Sequence, residues 1–247
     1  MISKAKARYI KFLQVKKYRQ AEQCFLVQGA KAVKETLTSD FEVETLLGTR
    51  AFLDSYNKVR SGKAREVIEV SEKELTDVGS VETNNTALAV VRMKLNREPV
   101  LPSDDFSLVL DDIRDPGNLG TIIRTADWYG IQNVIASPET TDLYNPKVIS
   151  ATMGSFLRVH VFYVPLVEYL LKISMPVYGM FLDGKDVHSE NFAKGGLIVI
   201  GNESKGISFE VEKQIPHRIT IPRVGGAESL NASTATAIVL DNLRRHL

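Results

Sequence analysis

Three apolar runs in the later part of this chain each give way to a polar, glycine-bearing turn, and no other feature limits its fold as tightly. Phe106–Leu110 leads into Asp115-Pro-Gly-Asn118-Leu-Gly120-Thr-Ile-Ile-Arg124. Leu197-Ile-Val-Ile runs into Gly201-Asn202-Glu203-Ser-Lys-Gly206, and His217-Arg-Ile-Thr-Ile221 into Gly225-Gly226-Ala-Glu-Ser229-Leu230-Asn231. Segments of strand character near 106–111, 133–137, 158–164, 177–182, 197–201 and 217–221 alternate with helical ones. That alternation predicts an α/β domain, a parallel sheet covered by helices on both faces. In such a sheet the polar turns converge where the strands end, and ligands bind there.

The first motif carries the most chemistry. Pro116-Gly117 breaks the strand, and the spacing predicts that Asn118 caps the first turn of a helix with its side-chain carbonyl. Gly120 permits a close approach to the backbone, and Arg124 is expected on roughly the same helix face as Asn118. An asparagine and an arginine presented together at a strand's carboxyl end form a polar site. The bland alternative is a capped helix with a solvated arginine.

The chain's 247 residues suit two compact domains or one large one. No apolar run reaches the roughly 18–20 residues needed to span a bilayer, and the basic start lacks an apolar signal core. A single cysteine, Cys24, excludes an internal disulfide and fits a cytoplasmic protein. Its place in Cys24-Phe-Leu-Val favours a buried small hydrophobe over a catalytic thiol. The four histidines, His160, His188, His217 and His246, form no metal-binding spacing, so no metal is expected.

Net charge is only +1, but its distribution is uneven. Lys4, Lys6, Arg8, Lys11, Lys16, Lys17 and Arg19 all precede the first acidic residue, Glu22. One helix over 2–19 bearing these charges is suited to the phosphates of RNA. It reads equally as a solvated face with Tyr9, Ile10, Leu13 and Val15 tucked inward. Arg244, Arg245 and His246 suit the negative end of a final helix.

Residues 1–94 mix helical and strand patterns: strands at 24–27, 43–47, 66–70 and 87–93, helices at 30–37, 52–59 and 72–78. Residues 95–105 hold two prolines among polar residues and read as a linker to a second domain over 106–247. Neither GxGxxG after the first strand nor GxxxxGK[ST] occurs, so the glycine turn of an ordinary Rossmann methyltransferase is missing.

The three strand-and-turn segments resemble motifs 1, 2 and 3 of the SpoU (TrmH-like) RNA ribose methyltransferases of the SPOUT superfamily, in order and in spacing. Tyr18-Arg19, Cys24-Phe-Leu-Val-Gln28-Gly29-Ala-Lys-Ala-Val33 and Thr86-Ala-Leu-Ala-Val90-Val91 resemble that family's substrate-binding domain, related in fold to a ribosomal protein. Gln28 stands where the family usually has glutamate, and Asn84-Asn85-Thr86 replaces a Pro-Gln-Gly-like turn.

The resemblance implies methyl transfer from S-adenosylmethionine to a ribose 2′-hydroxyl of RNA, with a deep C-terminal trefoil knot and a homodimer built partly on the last helix. It implies that Gly201, Ile221 and Leu230 hold the cofactor, and that Arg124 engages the attacking hydroxyl. Two roles for Arg124 stay open, proton acceptor or positioner of the ribose phosphate, since guanidinium stays protonated in ordinary settings. Asn118, Glu203, Ser229 and Asn231 match the family's other polar site positions. Capping alone accounts for one of Ser229 and Asn231 but hardly both, and Asn231 is expected to position substrate or loop. Lys205 is expected to be solvated. Within Asn145-Pro-Lys147-Val-Ile-Ser150-Ala-Thr152, Ser150 replaces a frequent arginine and Lys147 is a candidate phosphate contact.

The expectation is thus a two-domain RNA 2′-O-ribose methyltransferase, acting on ribosomal rather than transfer RNA. Alternatives are a transfer-RNA enzyme, a base methyltransferase, or an RNA-binding or ribosome-assembly protein of the same fold without turnover. Removing residues 1–94 is expected to leave a folded, cofactor-binding second domain.

Overall fold

A computed structural model describes residues 2–57, 63–80 and 84–245. His246 and the last residues of the helix predicted at 52–59 lie outside the described residues. The chain forms two compact units, residues 2–95 with 142–157, and residues 96–141 with 158–245.

The first unit begins with α1 (Lys4–Phe12) and α2 (Lys16–Glu22), followed by β1 (Cys24–Gln28), α3 (Ala30–Thr38), β2 (Val43–Gly48), α4 (Arg50–Asn57), β3 (Ala64–Glu69), α5 (Glu72–Val78) and β4 (Ala87–Arg92). Its sheet has the order β1-β4-β2-β3. Central β4 runs antiparallel to both neighbours, and β2 and β3 are parallel. Leu26, Leu47, Leu75, Leu88 and Val90 are buried with Ile10 and Leu13 between the sheet and its helices. Each such side chain contributes about 1.5–3 kcal/mol on burial.

The single helix expected over 2–19 is broken. Val15 is extended and starts α2; the last carbonyls of α1 accept the N–H groups of Leu13, Gln14 and Val15, and the break leaves the Leu13 and Gln14 carbonyls in need of donors. Arg19 fills that need: its Nη1 donates to the Leu13 carbonyl at 3.2 Å and the Gln14 carbonyl at 2.7 Å. Its Nη2 donates to Asp142 Oδ2 at 2.7 Å. Arg19 is 2% exposed and cannot meet a phosphate, so it leaves the RNA-facing set.

Residues 142–157, expected with the second domain, pack in the first unit. They carry α7 (Pro146–Ala151), and the physical reason is an aromatic cluster around buried Phe25. Tyr144 lies 4.5 Å and Phe156 5.9 Å from the Phe25 ring, with Phe41 at 5.9 Å.

The second unit holds β5 (Phe106–Leu110), α6 (Pro116–Trp128), β6 (Asn133–Ala136), β7 (His160–Tyr163), α8 (Leu166–Leu170), β8 (Val177–Asp186), β9 (Gly196–Ile200), α9 (Phe209–Glu212), β10 (His217–Thr220) and α10 (Ala232–Arg245). Its six strands have the order β10-β8-β9-β5-β6-β7, with every pairing parallel. Every residue of β5 and β9 is buried, which is why both read as near-continuous apolar runs, interrupted in β5 only by Ser107. The order reverses between β5 and β9. From β5 the chain builds outward through β6 and β7, then crosses back to the other side. The turns after β5 and β9 therefore diverge at a switch point, where an open sheet leaves a crevice.

Candidate active site

The site is built by carboxylates and amides that hold the switch-point turns. Asp111, buried at the end of β5, accepts the Ser208 backbone N–H at 2.7 Å and so ties that end to the start of α9. Asn202 Nδ2 donates to the Asp112 carbonyl at 2.7 Å, while its Oδ1 accepts the N–H groups of Ser204 and Lys205. Asn202 and Gly206 exchange backbone hydrogen bonds of 3.0 and 2.9 Å, closing the 201–206 turn on itself. A Cβ at Gly201 would lie 2.3 Å from backbone atoms of Gly206 and Ile207, so this turn requires glycine.

Asp115, not Asn118, caps α6: its Oδ1 accepts the Asn118 backbone N–H at 2.8 Å, with Pro116 in the first turn. The Asn118 side chain is thereby released for tertiary contacts. Its Nδ2 donates to Glu203 Oε1 at 2.8 Å, and its Oδ1 accepts from Asn231 Nδ2 at 2.8 Å. Asn231 Oδ1 then accepts the Ser233 N–H at 2.9 Å and the Ser233 hydroxyl at 2.6 Å, anchoring the start of α10. One residue from each of the three motifs thus joins a single hydrogen-bonded chain. A carboxylate only accepts, so Glu203 fixes which way both amides point.

Arg124 is exposed and makes no hydrogen bond or ion pair with the described residues. The shared face expected with Asn118 is not found. Six residues at about 100° each leave the two roughly 120° apart around the helix, one inward and one outward. Beside the chain lies a cleft of about 710 Å³ lined by Gly201, Ile221, Leu230 and Ser229, with Met180, Ile200 and Pro222 adding apolar wall. Glu203 and exposed Lys205 also border it. Its size and mixed lining suit a nucleoside-bearing cofactor.

In the first unit Lys4, Arg8, Lys11, Lys16, Lys17 and Lys147 are all exposed, and Lys6 is held by Glu66. Cys24 is buried, and burial pushes its thiol pKa up, the opposite of an activated nucleophile. Among the described residues no histidine, cysteine and carboxylate cluster could hold a metal ion. The sequence reading missed Asp111, Asp112, Asp115 and Asn202. The paired aspartates directly after a buried strand were the available signal.

The model of the SpoU rRNA Methylase family matches residues 105–241, and that of the MRM3-like substrate binding domain matches residues 4–89. The chain is 31% identical to the 23S rRNA (guanosine(2553)-2′-O)-methyltransferase RlmP of Bacillus subtilis, over 95% of this chain and 94% of that one. A putative RNA methyltransferase of the TrmH family from Porphyromonas gingivalis superposes with a TM-score of 0.90 at 37% identity, covering all of both chains. An AdoMet-bound rRNA methyltransferase from Sinorhizobium meliloti gives a TM-score of 0.86 at 28% identity, covering 100% of this chain and 97% of that one. By motif order, fold and similarity over its whole length, the chain belongs to the SpoU rRNA methylase family.

Proposed function

We propose that this protein is an S-adenosylmethionine-dependent methyltransferase acting on a ribose 2′-hydroxyl of ribosomal RNA. The observation that carries the reading is the Glu203–Asn118–Asn231 chain standing beside the cleft. The residues present fit the cofactor. The cleft has apolar wall from Ile221 and Leu230, and the Gly201 turn brings bare backbone to its edge. Bound there, S-adenosylmethionine supplies an electrophilic methyl group on a sulfonium.

The chain's own residues do the rest. Arg124, exposed and without a partner among the described residues, is available to a substrate phosphate and to the charge developing on the attacking oxygen. The exposed, unpaired state supports the positioning role over that of proton acceptor. Glu203, Asn118 and Asn231 hold the loops after β9 and β10 against α6, and Ser229 borders the cleft within the last of these loops. The exposed cations Lys4, Arg8, Lys11, Lys16, Lys17 and Lys147 hold RNA phosphates.

The finer features follow the family. The segments after β9 and β10 thread a trefoil knot, and the protein acts in the cytoplasm as a homodimer. Trp128 supports the dimer: it is 84% exposed at the end of α6, the helix that packs against α10. Ribosomal RNA is favoured over transfer RNA because relatives matching nearly the whole chain are named for 23S rRNA.

The test is methyl transfer from labelled S-adenosylmethionine to unmodified ribosomal and transfer RNA, followed by digestion to nucleosides. Label on a 2′-O-methyl nucleoside of ribosomal RNA is expected. Label on a base, or none with any RNA or pre-ribosomal particle, overturns the reading.

A further inference from the structure

The break between α1 and α2 brings two aromatic rings together on the surface. Phe12, the last residue of α1, stacks on Tyr18 in α2 with centroids 4.7 Å apart and planes inclined by only 15°. The Arg8 guanidinium lies over the Phe12 ring at 5.1 Å, so a cation also joins the aromatic pair. This is not a core cluster. Tyr18 is 39% exposed and the adjoining Val15 52% exposed. The same two helices carry Lys4, Lys11, Lys16 and Lys17, all exposed and none in an ion pair with a described residue.

Exposed aromatic surface on two helices that also carry cations without an ion-pair partner among the described residues has a specific chemical complement. Phosphates satisfy the lysines, and an unpaired base adds a further layer to the stack. A duplex offers the phosphates but keeps its bases stacked within the helix. A protein surface would need acidic groups spaced like phosphates and gains nothing from parallel rings. We infer that Tyr18 and Phe12, with Arg8 against the Phe12 ring, form a stacking platform for an unpaired nucleotide of the RNA substrate. The first unit therefore selects single-stranded or looped RNA. The inference rests on the reading of this protein as an RNA methyltransferase.

Two measurements on the 247-residue chain separate the two claims. The first is binding of a fluorescein-labelled 12-nucleotide single-stranded RNA and of the matching 12-base-pair duplex, by anisotropy at fixed salt. Tyr18→Leu, which keeps apolar bulk but removes the ring, is expected to weaken single-strand binding about ten-fold and to leave duplex binding within two-fold. Tyr18→Phe is expected to bind like the wild type, and equal melting temperatures verify folding. Unchanged single-strand affinity in Tyr18→Leu, or equal losses for single strand and duplex, overturns the platform. The second is methyl transfer to unmodified ribosomal RNA. Tyr18→Leu is expected to raise KM with kcat near wild type, and an unchanged KM counts against the platform. A wild type that binds RNA but transfers no methyl group to any RNA overturns the functional reading instead.

Discussion

Asn231 Nδ2 donates to Asn118 Oδ1 at 2.8 Å across 113 positions of sequence, and this bond is possible only because Glu203 occupies the other end of the Asn118 amide. The three side chains act as one unit, since reversing either amide would set acceptor against acceptor.

Asn118→Asp tests that polarity. It removes the donor to Glu203 and places two carboxylates within hydrogen-bonding distance. Methyl transfer is expected to fall about 100-fold at neutral pH, the scale of displacing reacting groups by about 1 Å when the loops that hold them loosen. Repulsion between the two carboxylates raises the pKa of the pair, so as pH falls the variant takes up one shared proton earlier than an isolated carboxylate would. The deficit relative to wild type should therefore shrink toward acidic pH, and a pH-independent deficit would contradict the shared-proton account.

Arg124→Ala is expected to abolish detectable transfer while leaving S-adenosylmethionine affinity within a few-fold, because Arg124 does not line the cleft. Calorimetry with the cofactor and single-turnover transfer separate the two effects. Arg124→Lys keeps charge without the planar fork and is expected to remain strongly impaired.

Gly201→Ala should act on the cofactor first. The new methyl group would meet the backbone of Gly206 and Ile207, which has no rotamer with which to yield. Cofactor affinity is expected to drop at least ~10-fold and the melting temperature to fall by several degrees. Wild-type affinity would show that the 201–206 turn opens without consequence.

Arg19→Ala and Lys16→Ala should separate structure from RNA contact. Loss of Arg19 strands Asp142 and two carbonyls, and is expected to cost about 3–5 kcal/mol of stability by denaturant titration. The slope of log affinity against log salt should stay as in the wild type. Lys16→Ala should leave stability alone and reduce that slope by roughly 0.7.

Removing residues 1–94 should not yield the clean second domain expected from the linker. Residues 142–157 would lose Phe25 and Arg19, exposing Tyr144 and Phe156. The truncated protein is expected to aggregate or bind a hydrophobic dye. Truncation with removal of 142–157 as well should lessen both, as light scattering and dye fluorescence would record.

Strand identity in the second unit was legible in the sequence because β5 and β9 are buried throughout, and burial writes itself as a near-continuous apolar run. That Asn118, Glu203 and Asn231 would come together was legible, because polar turns at the ends of parallel strands converge. The helix break at Val15 was not legible. It depends on Arg19 supplying donors to the Leu13 and Gln14 carbonyls, a tertiary substitute for helical hydrogen bonds. The capping role of Asp115 was hidden for a similar reason, since Asp115 and Asn118 are both good caps and only the demand of Glu203 chooses between them.

The sequence by itself determined the parallel sheet, its polar turns and the residue types at the site, because local periodicity and turn chemistry record burial and backbone direction. Tertiary structure alone decided that β9 lies beside β5, that residues 142–157 leave the second unit for the first, and that Glu203, Asn118 and Asn231 share one chain of hydrogen bonds. Those outcomes depend on strand order and on which donor meets which acceptor across 85 and 113 positions, and no local pattern carries that information.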